Sequence, residues 1–141
     1  MFDTAEILEN NVTIQWNADR SVALVTLTES NRKTVDTYIE TNLDIFRKWD
    51  KSKPIFTIQD ISGGKVTLTP YMKERLKEFT DYVNTNKVTM RTALVMENNF
   101  TGQVMRTFGR LFGGNSHYLK LVFFTSIDQA HEWIIKQQQE V

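Results

Sequence analysis

The order of elements predicts an α/β domain, a mixed and mostly parallel five-stranded sheet with four helices in the order ββαβαβαβα. Three observations carry this. An opening hairpin is followed by short β-type runs that alternate with amphipathic helical runs, and strands separated by helices imply a largely parallel sheet. The chain then closes on a strand ending in Phe123-Phe124, a capped turn and a helix that brings Ala130, Trp133 and Ile134 back onto the sheet. Finally, 141 residues with no internal repeat and no low-complexity linker fit one domain over 1–141.

Val12 to Trp16 alternates apolar and polar residues, the period-two pattern of a strand with one face inward. Asn17 to Arg20 supplies turn chemistry, and Val22 to Leu27 returns as a more continuously apolar strand. The period then changes. Val35, Ile39, Leu43, Phe46 and Trp49 recur at three- and four-residue spacing, which predicts a helix over Arg32 to Trp49. Pro54 ends that pattern, because proline lacks the amide hydrogen a helix needs. Ile55 to Ile58 is the third strand, running into a loop over Gln59 to Gly64.

Thr69-Pro70 opens the second helix: the hydroxyl caps a free amide, and proline sits where no intrahelical donor is required. Met72, Leu76, Phe79 and Val83 form its stripe, and Asn84-Thr85-Asn86 ends it. Thr92 to Met96 is the fourth strand. Asn98 or Asn99 then caps an aromatic helix with Phe100, Val104, Phe108, Leu111 and Phe112 on one side, stopped by Gly113-Gly114-Asn115. The last helix begins at Thr125 or Ser126, and Ser126 with Gln129 has capping-box spacing.

Apolar content of 40% with 24% charged residues is ordinary for a globular chain. Seventeen acidic and 17 basic residues cancel, so the broad basic surface that neutralises phosphates is missing and no nucleic-acid partner is expected. The absence of cysteine removes disulfides, thiolate nucleophiles and thiolate metal sites, and suits a reducing compartment. The acids in the first nine residues do not read as a secretory signal, and no apolar run approaches the ~20 residues needed to span a bilayer. The expectation is a cytoplasmic protein with no transmembrane segment.

The loop after the third strand lies where open α/β sheets place ligands, and the loops near Asn98 and Thr125 should emerge on the same edge. Three helix N-termini would converge there, and Gly63 and Gly64 would admit a close approach of backbone to a ligand. In the plainer reading, Thr69, Asn99 and Ser126 are only caps and the glycines only turns. The aromatic helix tolerates Gly102 and Gly109, each at about 0.5–1 kcal/mol relative to alanine, which suggests a compensating close contact. That contact lies either inside the domain or at a surface receiving a second subunit or an apolar ligand, with Arg106 and Arg110 on its rim. Asp60 and Glu97 could face each other at adjacent strand ends, an arrangement open to acid–base work or to none. His117 and His131, 14 residues apart without acids at ligand spacing, do not suggest a metal site, and no Walker, GxSxG, HExxH or dinucleotide pattern implies a cofactor.

The order of elements, read with Asp60-Ile61-Ser62 after the third strand and the closing Phe124-Thr125-Ser126-x-x-x-Ala130-x-x-Trp133, resembles the STAS superfamily over roughly residues 10–138. That group takes in anti-sigma factor antagonists and SpoIIAA-like proteins. The antagonist branch carries a phosphorylatable serine within Asp-Ser-Ser-Gly at the start of the second helix. Here the stretch is Val66-Thr67-Leu68-Thr69-Pro70, so Thr69 falls closest to the phosphoacceptor while the acid, paired serines and glycine are absent. The resemblance implies a fold of this type, with the ending closer to the SpoIIAA-like branch. A phosphate on Thr69 would place roughly −1.5 to −2 charges at a helix N-terminus; Ser62 and Thr67 match less well.

The first functional expectation is a non-enzymatic regulatory module that docks a protein partner or a second copy of itself. It would use the edge holding Asp60, Ser62, Gly63, Gly64 and Thr69 together with Arg106, Phe108 and Arg110 of the aromatic helix. The alternative is a carrier or sensor of a small apolar, lipid-like ligand, and a third reading is a small enzyme using Asp60 and Glu97.

Overall fold

A computed structural model describes residues 2–4, 6–63, 65–98, 106 and 118–140. Its centre is a six-stranded mixed sheet in the spatial order β1 (Glu6–Ile7), β2 (Thr13–Trp16), β3 (Val22–Thr26), β4 (Ile55–Asp60), β5 (Met90–Val95) and β6 (Leu119–Phe124). The pairs β1–β2 and β2–β3 are antiparallel, and β3 through β6 are parallel. Helices α1 (Arg32–Lys48), α2 (Pro70–Asn86) and α3 (Ile127–Glu140) connect and cover it.

The α/β class and the largely parallel sheet follow the sequence. The strand number does not: the expected five become six, because Glu6 and Ile7 pair with Ile14 and Thr13 to add an edge strand. Both residues are exposed, so no hydrophobic alternation announces this strand. It is held by backbone pairing and by the turn after it, where Asn10 and Asn11 take left-handed φ of 57° and 62°. The Asn10 amide also reaches Thr37 Oγ1 on α1 at 2.8 Å. Of the aromatic helix expected between Asn98 and Phe112, only Asn98 and Arg106 belong to the described residues; both are helical and exposed.

Each face of the sheet has its own core. On one side, Ala23, Val25, Leu27, Ile61, Leu94 and Met96 meet Val35, Tyr38, Ile39, Ile45 and Met72 of α1 and α2. On the other, Val22, Leu24, Phe56, Ile58, Ala93 and Val95 meet Ala130 and Ile134 of α3, as the closing pattern predicts, with Trp133 partly buried beside Phe124. A third cluster (Phe46, Ile55, Val83, Val88, Met90 and Leu119) closes the end of the sheet where the parallel strands begin.

Boundaries move by a few residues, each for a visible reason. Asn31 caps α1, its Oδ1 accepting from Thr34 N at 3.0 Å. On α1, Tyr38 and Asn42 occupy the buried face alongside Val35 and Ile39, while Leu43 is only partly buried, as is Trp49, which follows the helix in extended conformation. Helix α2 ends at Asn86, the last residue of the Asn84-Thr85-Asn86 stretch expected to stop it, and Lys87 caps it with a left-handed φ of 57°. The expected loop from Gln59 starts later, because Gln59 and Asp60 continue β4 and pair with Leu94 and Val95.

Thr69 caps α2 as expected, its hydroxyl oxygen accepting from Met72 N at 3.1 Å with Pro70 following. Thr69→Ala should therefore lower stability by about 1 kcal/mol, whereas Thr69→Asp, which keeps an acceptor at the cap, should stay within a few tenths of wild type. Urea melts of the two variants provide the check; equal losses would mean that the cap contributes nothing.

Candidate functional site

The ends of the parallel strands form one edge, since Thr26, Asp60, Val95 and Phe124 stand in register across β3 to β6. The segment leaving β4 at this edge is tied back at several of its described residues. Asp60 Oδ1 accepts from the Ser62 amide at 3.0 Å and from the Ser62 hydroxyl at 2.6 Å, a turn in which the carboxylate mimics a backbone acceptor. The Gly63 carbonyl accepts from Val66 N at 3.1 Å. A Cβ placed on Gly63 would lie 3.4 Å from Thr28 Cα, so the close neighbour of this glycine is the chain's own backbone.

Ser30, at the start of α1, completes the anchoring. Its hydroxyl accepts from Thr67 N at 2.9 Å and lies 3.2 Å from the Thr67 hydroxyl, while Glu29 and Lys65 form an isolated parallel bridge. Ile61, Val66 and Leu68 point inward and are buried, leaving Lys65, Thr67 and Pro70 exposed. The structure thus brings together Asp60, Ser62, Gly63 and Thr69 on one edge. Gly64, Phe108 and Arg110 lie outside the described residues, as do Asn99, Gly102, Gly109 and His117.

Of the other candidates, Glu97 is exposed beyond the end of β5, while the Asp60 carboxylate is committed to Ser62. His131 stacks edge-on against Phe2, with ring centroids 5.5 Å apart. Among the described residues no group of three or more metal-ligating side chains is placed to hold an ion.

Three further features carry no clear mark in the sequence. Beneath α1 and α2, Tyr38, Asn42 and Gln59 form a buried polar group: the Tyr38 hydroxyl donates to Gln59 Oε1 at 2.6 Å, and the Gln59 amide donates to Asn42 Oδ1 at 2.8 Å. Burial pushes the Tyr38 hydroxyl well above the ordinary tyrosine range. Beside this group lies a cavity of about 60 Å³, reached also by Thr80 and Thr92. The one hint was periodicity, since Asn42 lies four residues from Tyr38 and Gln59 two from Thr57.

The second feature joins α1 to α2. Arg75 Nη1 pairs with Glu78 at 2.6 Å and Nη2 with Glu40 at 3.4 Å, while Nε lies 3.3 Å from Asp36 at an angle that makes no hydrogen bond. Tyr71 donates its hydroxyl to Asp36, and the Arg32 guanidinium lies 4.5 Å over the Tyr71 ring. The third is an open groove of about 480 Å³ between the β1–β2 edge and α1. Trp16 and Trp49 stack at its floor, 6.4 Å apart, with Arg20 placed 4.8 Å over Trp16.

No family model, curated protein or solved structure matches this chain. Among the described residues no helix is long and apolar enough to cross a membrane.

Proposed function

We propose that the protein is a non-enzymatic docking module of the STAS/SpoIIAA-like type, binding a protein partner or a second copy of itself through the Asp60–Pro70 edge. The observation that carries this reading is how that edge spends its polar groups. Asp60, Ser62, Ser30 and Thr69 all turn their oxygens onto the local chain, which fixes the segment, while Lys65, Thr67 and Pro70 face outward. A pre-formed surface loses little conformational entropy on association, which suits recognition. The same commitments leave Asp60 poorly placed for proton transfer, which weakens the acid–base alternative.

A regulatory phosphate on Thr69 remains part of the proposal, with a stated cost: the hydroxyl oxygen would have to leave the Met72 amide. The ligand-carrier alternative draws on the groove floored by Trp16 and Trp49. That groove is open and rimmed by Glu6, Arg20, Asp44 and Lys48, which fits an amphipathic ligand better than an apolar one. The cavity beneath α1 and α2, at about 60 Å³, is far below the ~300 Å³ typical of ligand pockets.

The test compares wild type with the edge variant Lys65→Glu/Thr67→Arg and with the opposite-face control Lys136→Glu. Affinity capture reads a protein partner, and native mass spectrometry reads a second copy. The expected result is a complex kept by wild type and the control but weakened at least about tenfold in the edge variant. A complex that the edge variant holds as tightly as wild type would remove this edge from the reading.

A further inference from the structure

The cations around the Asp60–Pro70 edge differ from those elsewhere on the same two helices. Arg32 and Lys33 open α1, Lys65 lies exposed between β4 and α2, and Lys73 stands in the first turn of α2. Three contacts draw these segments together. The Ser30 hydroxyl accepts from Thr67 N at 2.9 Å, Glu29 and Lys65 form a backbone bridge, and the Arg32 guanidinium lies 4.5 Å over the Tyr71 ring. Among the described residues none of the four cations takes part in an ion pair, whereas Arg47 pairs with Glu40, Lys48 with Asp44, Arg75 with Glu78 and Lys77 with Asp81. The carboxylates nearest the edge are engaged by other groups: Glu29 accepts from the Asn31 amide at 3.0 Å, Asp60 from Ser62, and Asp36 from the Tyr71 hydroxyl.

This placement runs against helix electrostatics. The N-terminus of a helix carries partial positive charge, so acids stabilise the first turn and cations the last. Neither α1 nor α2 has an acid in its first turn, and α1 begins on two cations in succession. Charges that oppose the local field and gain no partner inside the fold mark a surface that serves something outside it. The chain as a whole is neutral, so these cations are a local feature and not the overflow of a basic protein.

We propose that the partner docked at this edge presents an acidic protein segment, a run of Asp and Glu side chains that pairs with Arg32, Lys33 and Lys65. The inference rests on the docking reading above and supplies the chemistry of its partner. An acidic segment fits better than a nucleic acid. Few cations are available to neutralise phosphates, and the ring nearest them, Tyr71, is already covered by Arg32 and offers no free platform for a base.

Fluorescence anisotropy with a labelled decaglutamate peptide tests it, with a single-stranded DNA of equal charge as the comparison. Wild type should bind the peptide more tightly than the DNA, and less tightly as salt is raised. Lys33→Glu/Lys65→Glu should weaken peptide binding at least about tenfold. Lys53→Glu/Lys136→Glu, which makes the same change in net charge before β4 and on α3, should leave it near wild type. The edge variant should unfold at no lower urea concentration than wild type, because an acid replaces a cation in the first turn of α1; its loss of binding is then not a loss of fold. No binding of the peptide, tighter binding of the DNA, or an equal loss in both variants would overturn the proposal. The two readings fail separately. A captured complex that the Lys65→Glu/Thr67→Arg variant weakens, from a wild type that ignores the peptide, keeps the docking edge and removes the acidic partner. A captured complex that this variant holds unchanged removes both.

Discussion

Phe46→Ala is expected to lower the unfolding free energy by about 3–5 kcal/mol, a large part of the ~5–15 kcal/mol typical of a domain. Phe46 is 1% exposed and sits among Ile55, Val83, Val88, Met90 and Leu119, with the Tyr82 ring meeting it edge-on at 5.1 Å. It therefore joins α1, the end of α2 and the start of three parallel strands at one point. Alanine removes the ring from water-free packing and leaves a cavity that these separate elements cannot all close. Phe46→Leu fills most of the same space and should cost under about 1.5 kcal/mol. Urea denaturation decides it: the alanine midpoint should fall steeply with the slope unchanged. A loss no larger than that of the leucine variant would mean the cluster is loosely packed.

Gln59→Leu should cost about 2–4 kcal/mol despite being a polar-to-apolar change in a core, because it strands both the Tyr38 hydroxyl and the Asn42 side-chain oxygen, while the Asn42 amide nitrogen keeps only its bond to the Tyr38 carbonyl. Tyr38→Phe should cost only about 1 kcal/mol, since Gln59 Oε1 keeps its bond from Asn42. These two variants also fix a pH dependence. Burial raises the folded-state pKa of Tyr38, while an unfolded tyrosine titrates near ~10. The stabilisation is complete below that value and is lost as the pH rises above it, because the unfolded chain gives up the proton while the native state holds it. The advantage of wild type over Tyr38→Phe should therefore shrink between about pH 9 and about pH 11. A gap that stays constant would mean Tyr38 ionises normally in the native state.

Much of the architecture is legible without coordinates because it rests on local chemistry. The alternation of Val12 to Trp16, the stripe from Val35 to Phe46, the Thr69-Pro70 start and the return of Ala130 and Ile134 each use only neighbours within a turn or a pleat. The misses share a different cause. Glu6 and Ile7 became a strand through pairing with β2, not through any pattern of their own. Gln59 and Asp60 read as a loop by polarity, yet β3 and β5 on either side hold them in the sheet.

The candidate edge divides in the same way. Asp60, Ser62, Gly63 and Thr69 could be placed together from the order of strands and helices. Ser30 could not, because its partner Thr67 lies 37 residues away and nothing local marks the pair. Tyr38 and Asn42 fit the buried side of α1 by spacing alone, but whether that side could take polar groups depended on Gln59 arriving opposite them from β4. The sequence by itself therefore determined the α/β class, the strands β2 to β6, the helices α1 to α3 and the edge on which the parallel strands end, since these follow from backbone and side-chain preferences over a few residues. Only the tertiary structure decided which polar side chains could be buried, which loop was tied back by hydrogen bonds and where a cavity remained. Those outcomes depend on partners brought together from distant parts of the chain, and an isolated segment carries no physical trace of a partner it has not yet met.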